Sequence, residues 1–488
     1  MVRVPASVSA FAGRSSRYLL LYGGALLLAV VVGAVVAYSE RFGGENGPYI
    51  LLGALLGIAV AVTILLQWRL GAVLLVAALP FESALKFGAV ASGIKALGLL
   101  TFVSFALALL IDQELFERFA RLWQQPLALA VLAFVLWIAV SIVWADNKGN
   151  TLGATVTFLG LFGLMVVVSL LEGRYLVLAW AALVFGAALS VPAGYILPVP
   201  EGSDMAVNGR FGPGGAGPDS YGCRVAIAFF VGYFGLLRRH RVIACLLAPV
   251  FLYGIFATES RTALIALAAA PLLALFVPRM AARLGWRTLP LYVVGAAALA
   301  VFLALPSVGQ SAQERYMSLS QIQSEQTWNG RWSLWQGGLD VFASRPILGV
   351  GEGNFSEAAM EHSVTVQAHS ARKEKVAGIA HNMFLSVASQ LGLVGLILFL
   401  GILFFAFKAA VPIAQRSGLG TGIFLGLIVS MIAGLTLTWE QDKSLYVVFG
   451  SVLALQLDNS ARQARAHTER GSPPLIRGSR ICPGPDSG

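Results

Sequence analysis

Apolar stretches of about 17 or more residues recur along almost the whole of this chain, each long enough to cross a bilayer core as a helix. Composition agrees: 57% of the 488 residues are hydrophobic and only 12% are charged, about half the charge of a soluble domain. Backbone inside lipid must pair within its own segment or within a closed barrel. The lengths of these runs and their weak period-two alternation point to helices and exclude a barrel. The expected fold is all-α: a polytopic transmembrane helical bundle of about 12–14 spans with a large, partly helical loop.

The candidate spans are 18–38, 49–67, 70–80, 94–111, 126–144, 153–171, 175–193, 221–237, 242–258, 261–278, 288–305, 382–407, 418–438 and 443–458. The stretch 70–80 is too short to cross unless it continues past Pro80. Arg3, Arg14 and Arg17 precede the first run, as in a signal peptide, but Leu19 to Tyr38 is long enough to remain a span. Alternate connections carry the positive charge: Arg69, Arg118, Arg121, Arg174, Arg238, Arg239, Arg241, Arg279, Arg283, Arg287, Lys408 and Arg416, followed by a tail with Arg462, Arg465 and Arg470. The positive-inside rule then places both termini in the cytoplasm. The net charge of +10 is thus a topology signal, and no nucleic-acid motif accompanies it. Cys223, Cys245 and Cys482 form neither a disulfide framework nor a thiolate metal site.

The organisation expected is N-terminal spans over 1–193, a core over 194–397, C-terminal spans over 398–458 and a disordered polar tail over 459–488. Two outer segments are long: 194–220, rich in Gly and Pro, and 306–380. Within the second, Trp332, Trp335, Leu339 and Phe342 fall at helical spacing from Arg331 to Ala343. That apolar stripe either packs on the membrane domain or lies at the lipid headgroups.

Few residues here can carry chemistry. Among five histidines only His381 sits against a span, at the junction of the long loop with an apolar helix. It either caps that helix or accepts a proton from a substrate hydroxyl. Asn382 either caps the helix or orients a substrate. Arg210, Arg261 and Arg331 lie on the outer face, where topology does not demand positive charge. Each either forms an ion pair (Glu259 is the local candidate for Arg261) or grips phosphate with its guanidinium fork. The run Gly349-Val350-Gly351-Glu352-Gly353-Asn354-Phe355 lacks both the strand–helix context of a dinucleotide site and the Lys-Ser/Thr of a Walker loop. It reads as a turn in which Glu352 and Asn354 could still reach a sugar. No metal-ligand spacing appears, so neither a metal nor another cofactor is expected.

Taken together, these motifs resemble the O-antigen ligase family, which groups O-antigen ligases with polymerases and oligosaccharyltransferases. The resemblance rests on Glu259-Ser260-Arg261-Thr262 opening a span, Gly330-Arg331-Trp332, the stretch Arg345 to Phe355, and His381-Asn382 followed by Gly392 and Gly395, over about residues 205–397. Where relatives often carry an Asp-Pro-Asn-like stretch, this chain has Pro218-Asp219-Ser220-Tyr221. The resemblance implies a multi-pass enzyme of the bacterial inner membrane with a periplasmic catalytic face. Its donor would be an undecaprenyl-diphosphate-linked glycan, and its acceptor a hydroxyl on a glycan, a lipid A-core or a protein. His381 would be the general base, and Arg210 and Arg261 would hold the pyrophosphate. A base opposite the leaving group implies inversion, without a metal. A polysaccharide polymerase of the same family is the near alternative. A secondary transporter is the distant one, because ionisable residues here gather at span ends and not at mid-span.

Overall fold

The computed structural model describes residues 47–87, 91–197, 199, 205–206, 209–236, 241–281, 284, 326–373 and 378–471. The expected spans 18–38 and 288–305, and loop residues 306–325, lie outside these. Sixteen α-helices form the described part. They are α1 (Gly47–Leu66), α2 (Trp68–Ala78), α3 (Gly93–Ile111), α4 (Gln113–Leu122), α5 (Pro126–Val140), α6 (Lys148–Ser169), α7 (Gly173–Ala193), α8 (Pro218–Phe230), α9 (Arg241–Ala257) and α10 (Arg261–Ala274). After these come α11 (Gln326–Ser344), α12 (Phe355–His362), α13 (Val364–Lys373), α14 (Met383–Ala414), α15 (Gly418–Gly434) and α16 (Lys443–Gly471). Two short strands, β1 (Lys86–Phe87) and β2 (Ala91–Ser92), pair antiparallel.

Among the described residues, five helices are long and apolar enough to cross a membrane: Gly93–Ile111, Pro126–Val143, Lys148–Ser169, Gly173–Ala193 and Met383–Ala414. Shorter apolar helices pack among them, including Trp68–Phe81, Arg261–Ala274 and Gly418–Gly434. Leu110, Leu136, Val156, Leu189 and Phe404 face outward from these helices, as a lipid-facing belt requires. Because lipid is as apolar as leucine, helix association here depends on close approach. Gly422 of α15 therefore lies on the Val231 backbone, and Gly222 of α8 lies against Ala263 and Thr258. α16 packs along α6, α2 along α7, and α14 along α5 and α15.

Several charges inside the bundle are paired, as burial demands. Arg224 donates to Asp442 Oδ2 at 2.8–2.9 Å and sits 3.4 Å from Glu82, which also meets Lys443. Arg118 meets Asp458 at 2.8 Å.

One local expectation changes, and one of two open readings is favoured. Helix α16 runs on to Gly471, through residues 459–471 that composition assigns to a disordered tail. The loop helix α11 buries Ser333, Gly337, Gly338 and Val341, not the tryptophan stripe: Trp332 and Leu339 are exposed. The two glycines decide this. A Cβ on Gly337 would meet Val366 at 2.5 Å, and one on Gly338 would meet Leu385 at 2.5 Å, so the helix docks through its side-chain-free face.

Candidate active site

Helix α14 begins at a cap that the sequence dictates. Asn382 adopts extended backbone, and its Oδ1 accepts from the Phe384 and Leu385 amides at 3.0 Å each. Its Nδ2 donates to the Leu435 carbonyl at 3.1 Å, tying α14 to the end of α15. The amide is committed to structure, which answers the cap-or-substrate question in favour of the cap.

One residue earlier, His381 holds φ at +49°, a left-handed conformation that costs a non-glycine residue about 1–3 kcal/mol. Its carbonyl accepts from Trp335 Nε1 of α11 at 3.3 Å. Its Nδ1 is buried and closes no hydrogen bond among the described residues. Burial lowers its pKa below the usual 6.5, the Arg331 charge lowers it further, and Asp219 opposes both. The imidazole is therefore neutral at neutral pH and keeps a lone pair to accept a proton.

Beside it, two arginines from distant segments converge on one carboxylate. Arg210 Nη2 donates to Asp219 Oδ1 at 2.8 Å, and Arg331 Nη2 donates to Asp219 Oδ2 at 2.9 Å. Arg210 Nε donates to the Thr258 carbonyl at 3.2 Å, fixing the fork. Arg210 is 93% buried, its side chain tucked beneath the 257–260 turn. Asp219 sits in the first turn of α8, where the helix dipole favours a negative charge. Burial alone would raise its carboxyl, but Arg210, Arg331 and the Ser260 hydroxyl outweigh it, so its pKa falls below the carboxylate norm. Ser260 also caps α10 by accepting from the Ala263 amide at 3.2 Å. The half-buried Arg261 opens that helix directly behind it.

Arg210, Arg331 and His381 thus lie together, with Arg261 on the adjoining turn. Glu352 and Asn354 lie elsewhere. Asn354 is fully buried and donates to Thr151 Oγ1 and to the Val350 and Gly351 carbonyls at 3.0–3.2 Å. Glu352 is buried and accepts from Gln441 at 3.1 Å. Neither side chain is exposed.

The glycine run is a docking strap. Gly349, Gly351 and Gly353 all have φ between +71° and +89°, and a Cβ on any of them would strike neighbouring atoms. The Val350 and Gly351 amides donate to the Ser389 and Gln390 carbonyls of α14, and the Asp146 amide donates to the Val350 carbonyl. Arg345 meets Asp146 at 2.6 Å, and Trp144 Nε1 donates to the Leu348 carbonyl at 3.1 Å. The receiving surface is a break in α14: Gly392 has φ +67° and ψ −168°, and the Leu393 amide turns out to bond the Pro346 carbonyl. Gly392 serves backbone-to-backbone docking of this strap.

Sequence reasoning passes over two groups. Asp219 reads as a departure from a family pattern, although an acid nine residues after Arg210 at a helix start is a usable signal. Glu440 lies in the polar break Trp439-Glu440-Gln441-Asp442-Lys443 between α15 and α16. Its carboxyl is buried, and neither oxygen closes a hydrogen bond among the described residues. Burial pushes its pKa up to about 8, with the nearby Glu352 adding to the rise and Ser386 opposing it. Burial pushes Glu352 up to about 7.

Residues 243–400 match the model of the family described as O-antigen ligase. The match spans Arg261, Arg331, the glycine strap and His381, and stops short of Arg210 and Asp219 on the N-terminal side. No curated protein matches the chain.

Proposed function

Because the chain belongs to the O-antigen ligase family through residues 243–400, a multi-pass membrane protein with a ligase- or polymerase-like role in polysaccharide assembly, we propose that it transfers a glycan from polyprenyl diphosphate to an acceptor hydroxyl. The observation that carries this reading is the convergence of Arg210 and Arg331 beside a neutral, strained His381. Guanidinium forks bind phosphate oxygens bidentately and neutralise a leaving diphosphate. Arg261, at the start of α10, adds charge and a helix N-terminus.

His381 removes the proton from the acceptor hydroxyl as its oxygen bonds to the anomeric carbon. The bond from that carbon to the diphosphate oxygen breaks, and polyprenyl diphosphate leaves with the electron pair. Attack opposite the leaving group inverts the anomeric centre. The donor is an undecaprenyl-diphosphate-linked glycan in the bacterial inner membrane, with the reacting face periplasmic and both termini cytoplasmic. An arginine cluster at the headgroup level suits a lipid-anchored diphosphate, since the membrane holds the donor at that depth.

The test is transfer by the purified chain in liposomes, given a labelled lipid-linked glycan and separate acceptors: lipid A-core, a second lipid-linked repeat and a protein. Transfer to the first marks a ligase, and to the second a polymerase. No transfer to any of the three, from a folded protein, refutes the reading.

A further inference from the structure

Asp219 occupies the place in the arginine cluster that an anionic ligand would take. Its two carboxylate oxygens are split between guanidiniums from separate parts of the chain, at 2.8 and 2.9 Å. The Ser260 hydroxyl supports it from a third segment. This arrangement has a cost for any phosphate-binding role. The nitrogens best aimed into the cluster are already occupied, so a ligand must displace the carboxylate or bind through what remains.

We propose that Asp219 is a positioning residue that exchanges with the donor diphosphate: it holds Arg210 and Arg331 in place when the site is empty, yields them when a diphosphate enters, and reclaims them as the product diphosphate leaves. This rests on the donor assigned above.

Three physical points support the exchange. Without a resident anion, the buried Arg210 guanidinium and the partly buried Arg331 guanidinium would repel each other, with nothing to offset their desolvation. Asp219 removes that cost, so the cluster is preorganised and not assembled on binding. Next, the carboxylate belongs to the chain and competes intramolecularly, at an effective concentration that a free anion must beat. A diphosphate, with more charge and more acceptor oxygens, can beat it. A monophosphate on the same lipid is poorly matched to do so, which makes Asp219 a discriminator between the two. Lastly, the same competition helps expel the product, whose diphosphate is otherwise bound as tightly as the donor's.

Binding of inorganic pyrophosphate to the purified full-length protein, by calorimetry in detergent, tests the exchange. Asp219→Asn keeps the shape and removes the competing charge. Its Kd for pyrophosphate should fall about tenfold. In the liposome assay its KM for the donor should fall together with kcat, because product release slows. A merely structural role would weaken binding and leave no such split. Wild-type binding with no tightening in Asp219→Asn would overturn the exchange.

Should Asp219→Asn fail to fold, Asp219→Gly provides the same test by substitution in solution. Added acetate should weaken pyrophosphate binding to Asp219→Gly and leave the wild type unaffected. Indifference of both proteins to acetate would overturn the exchange. Absence of pyrophosphate binding in the wild type and in both folded variants would instead sink the donor assignment.

Discussion

Replacing Glu440 by glutamine should stabilise the protein, and only where the medium is not acidic. The carboxyl is 99% buried, and burial raises its pKa from 4.5 to about 8. At acidic pH the folded and unfolded chains both carry a proton there, and the group costs nothing. As pH rises past 4.5 the unfolded chain releases the proton while the folded chain keeps it, so stability falls until the folded group ionises near 8. At about 1.4 kcal/mol per pH unit, the loss is about 1 kcal/mol at pH 5 and about 4–5 kcal/mol at pH 8. Glutamine cannot ionise and so escapes this penalty. Thermal unfolding in detergent, followed by tryptophan fluorescence, should show Glu440→Gln melting several degrees above wild type at pH 8 and close to it at pH 5. Glu352, pushed up to about 7, leaves a residual pH dependence in the variant. An equal gain at both pH values, or a loss at both, would refute burial of an ionisable carboxyl as the cause.

Three further outcomes follow from the same geometry. His381→Ala should lower glycan transfer by at least about 100-fold while its melting temperature stays within a few degrees, read in the liposome assay; substantial activity would remove it as the base. Gly392→Ala should cost more than about 3 kcal/mol, because its φ and ψ are confined to glycine and a Cβ would run into the Ile347 carbonyl. Gly401→Ala on the same helix meets no atom within 4 Å and should be harmless, so equal elution profiles of the two would contradict the docking role. Val364→Cys, on the exposed surface of the loop domain, should react with an impermeant maleimide in intact cells of a cysteine-free background. Reaction only after lysis would reverse the topology.

The bundle was legible because lipid imposes one strong rule. A run such as Gly173–Ala193 must be a helix, and its ends fall where polarity returns. The capping of α14 by Asn382 was legible for the same local reason. The arginine cluster was half legible: Arg210 and Arg331 stand out by charge in segments expected to face outward, but the contact of Arg331 with Asp219 spans more than a hundred residues. No local periodicity encodes that contact. The burial of Asn354 and Glu352 was hidden because it depends on the break at Gly392, where strap and helix exchange backbone hydrogen bonds. The docking face of the loop helix was hidden for a related reason. Tryptophans mark an apolar face, but Gly337 and Gly338 let the backbone approach more closely than any aromatic face allows.

Under the proposed function, the electrostatics of the cluster make the strength of His381 as a base depend on the donor. In the empty site the Arg331 charge adds to burial in lowering the proton affinity of His381, and Asp219 offsets part of this. An incoming diphosphate brings at least one more negative charge than the carboxylate it displaces. It therefore favours the protonated imidazole and raises its pKa. A base that gains proton affinity only when the donor is seated removes the acceptor proton at the moment the leaving group is in place. It also has less tendency to activate water in the empty site. The pH dependence separates the two states, since kcat/KM reports the free enzyme and kcat the complex. The acid limb of kcat/KM should fall below pH 6.5, on the low side of the ordinary histidine value. The acid limb of kcat, measured at saturating donor and acceptor, should lie higher. Coincident limbs, or a lower limb in kcat, would mean that the diphosphate does not enter the field of Arg331 and His381, and that the arginines act on something other than the donor.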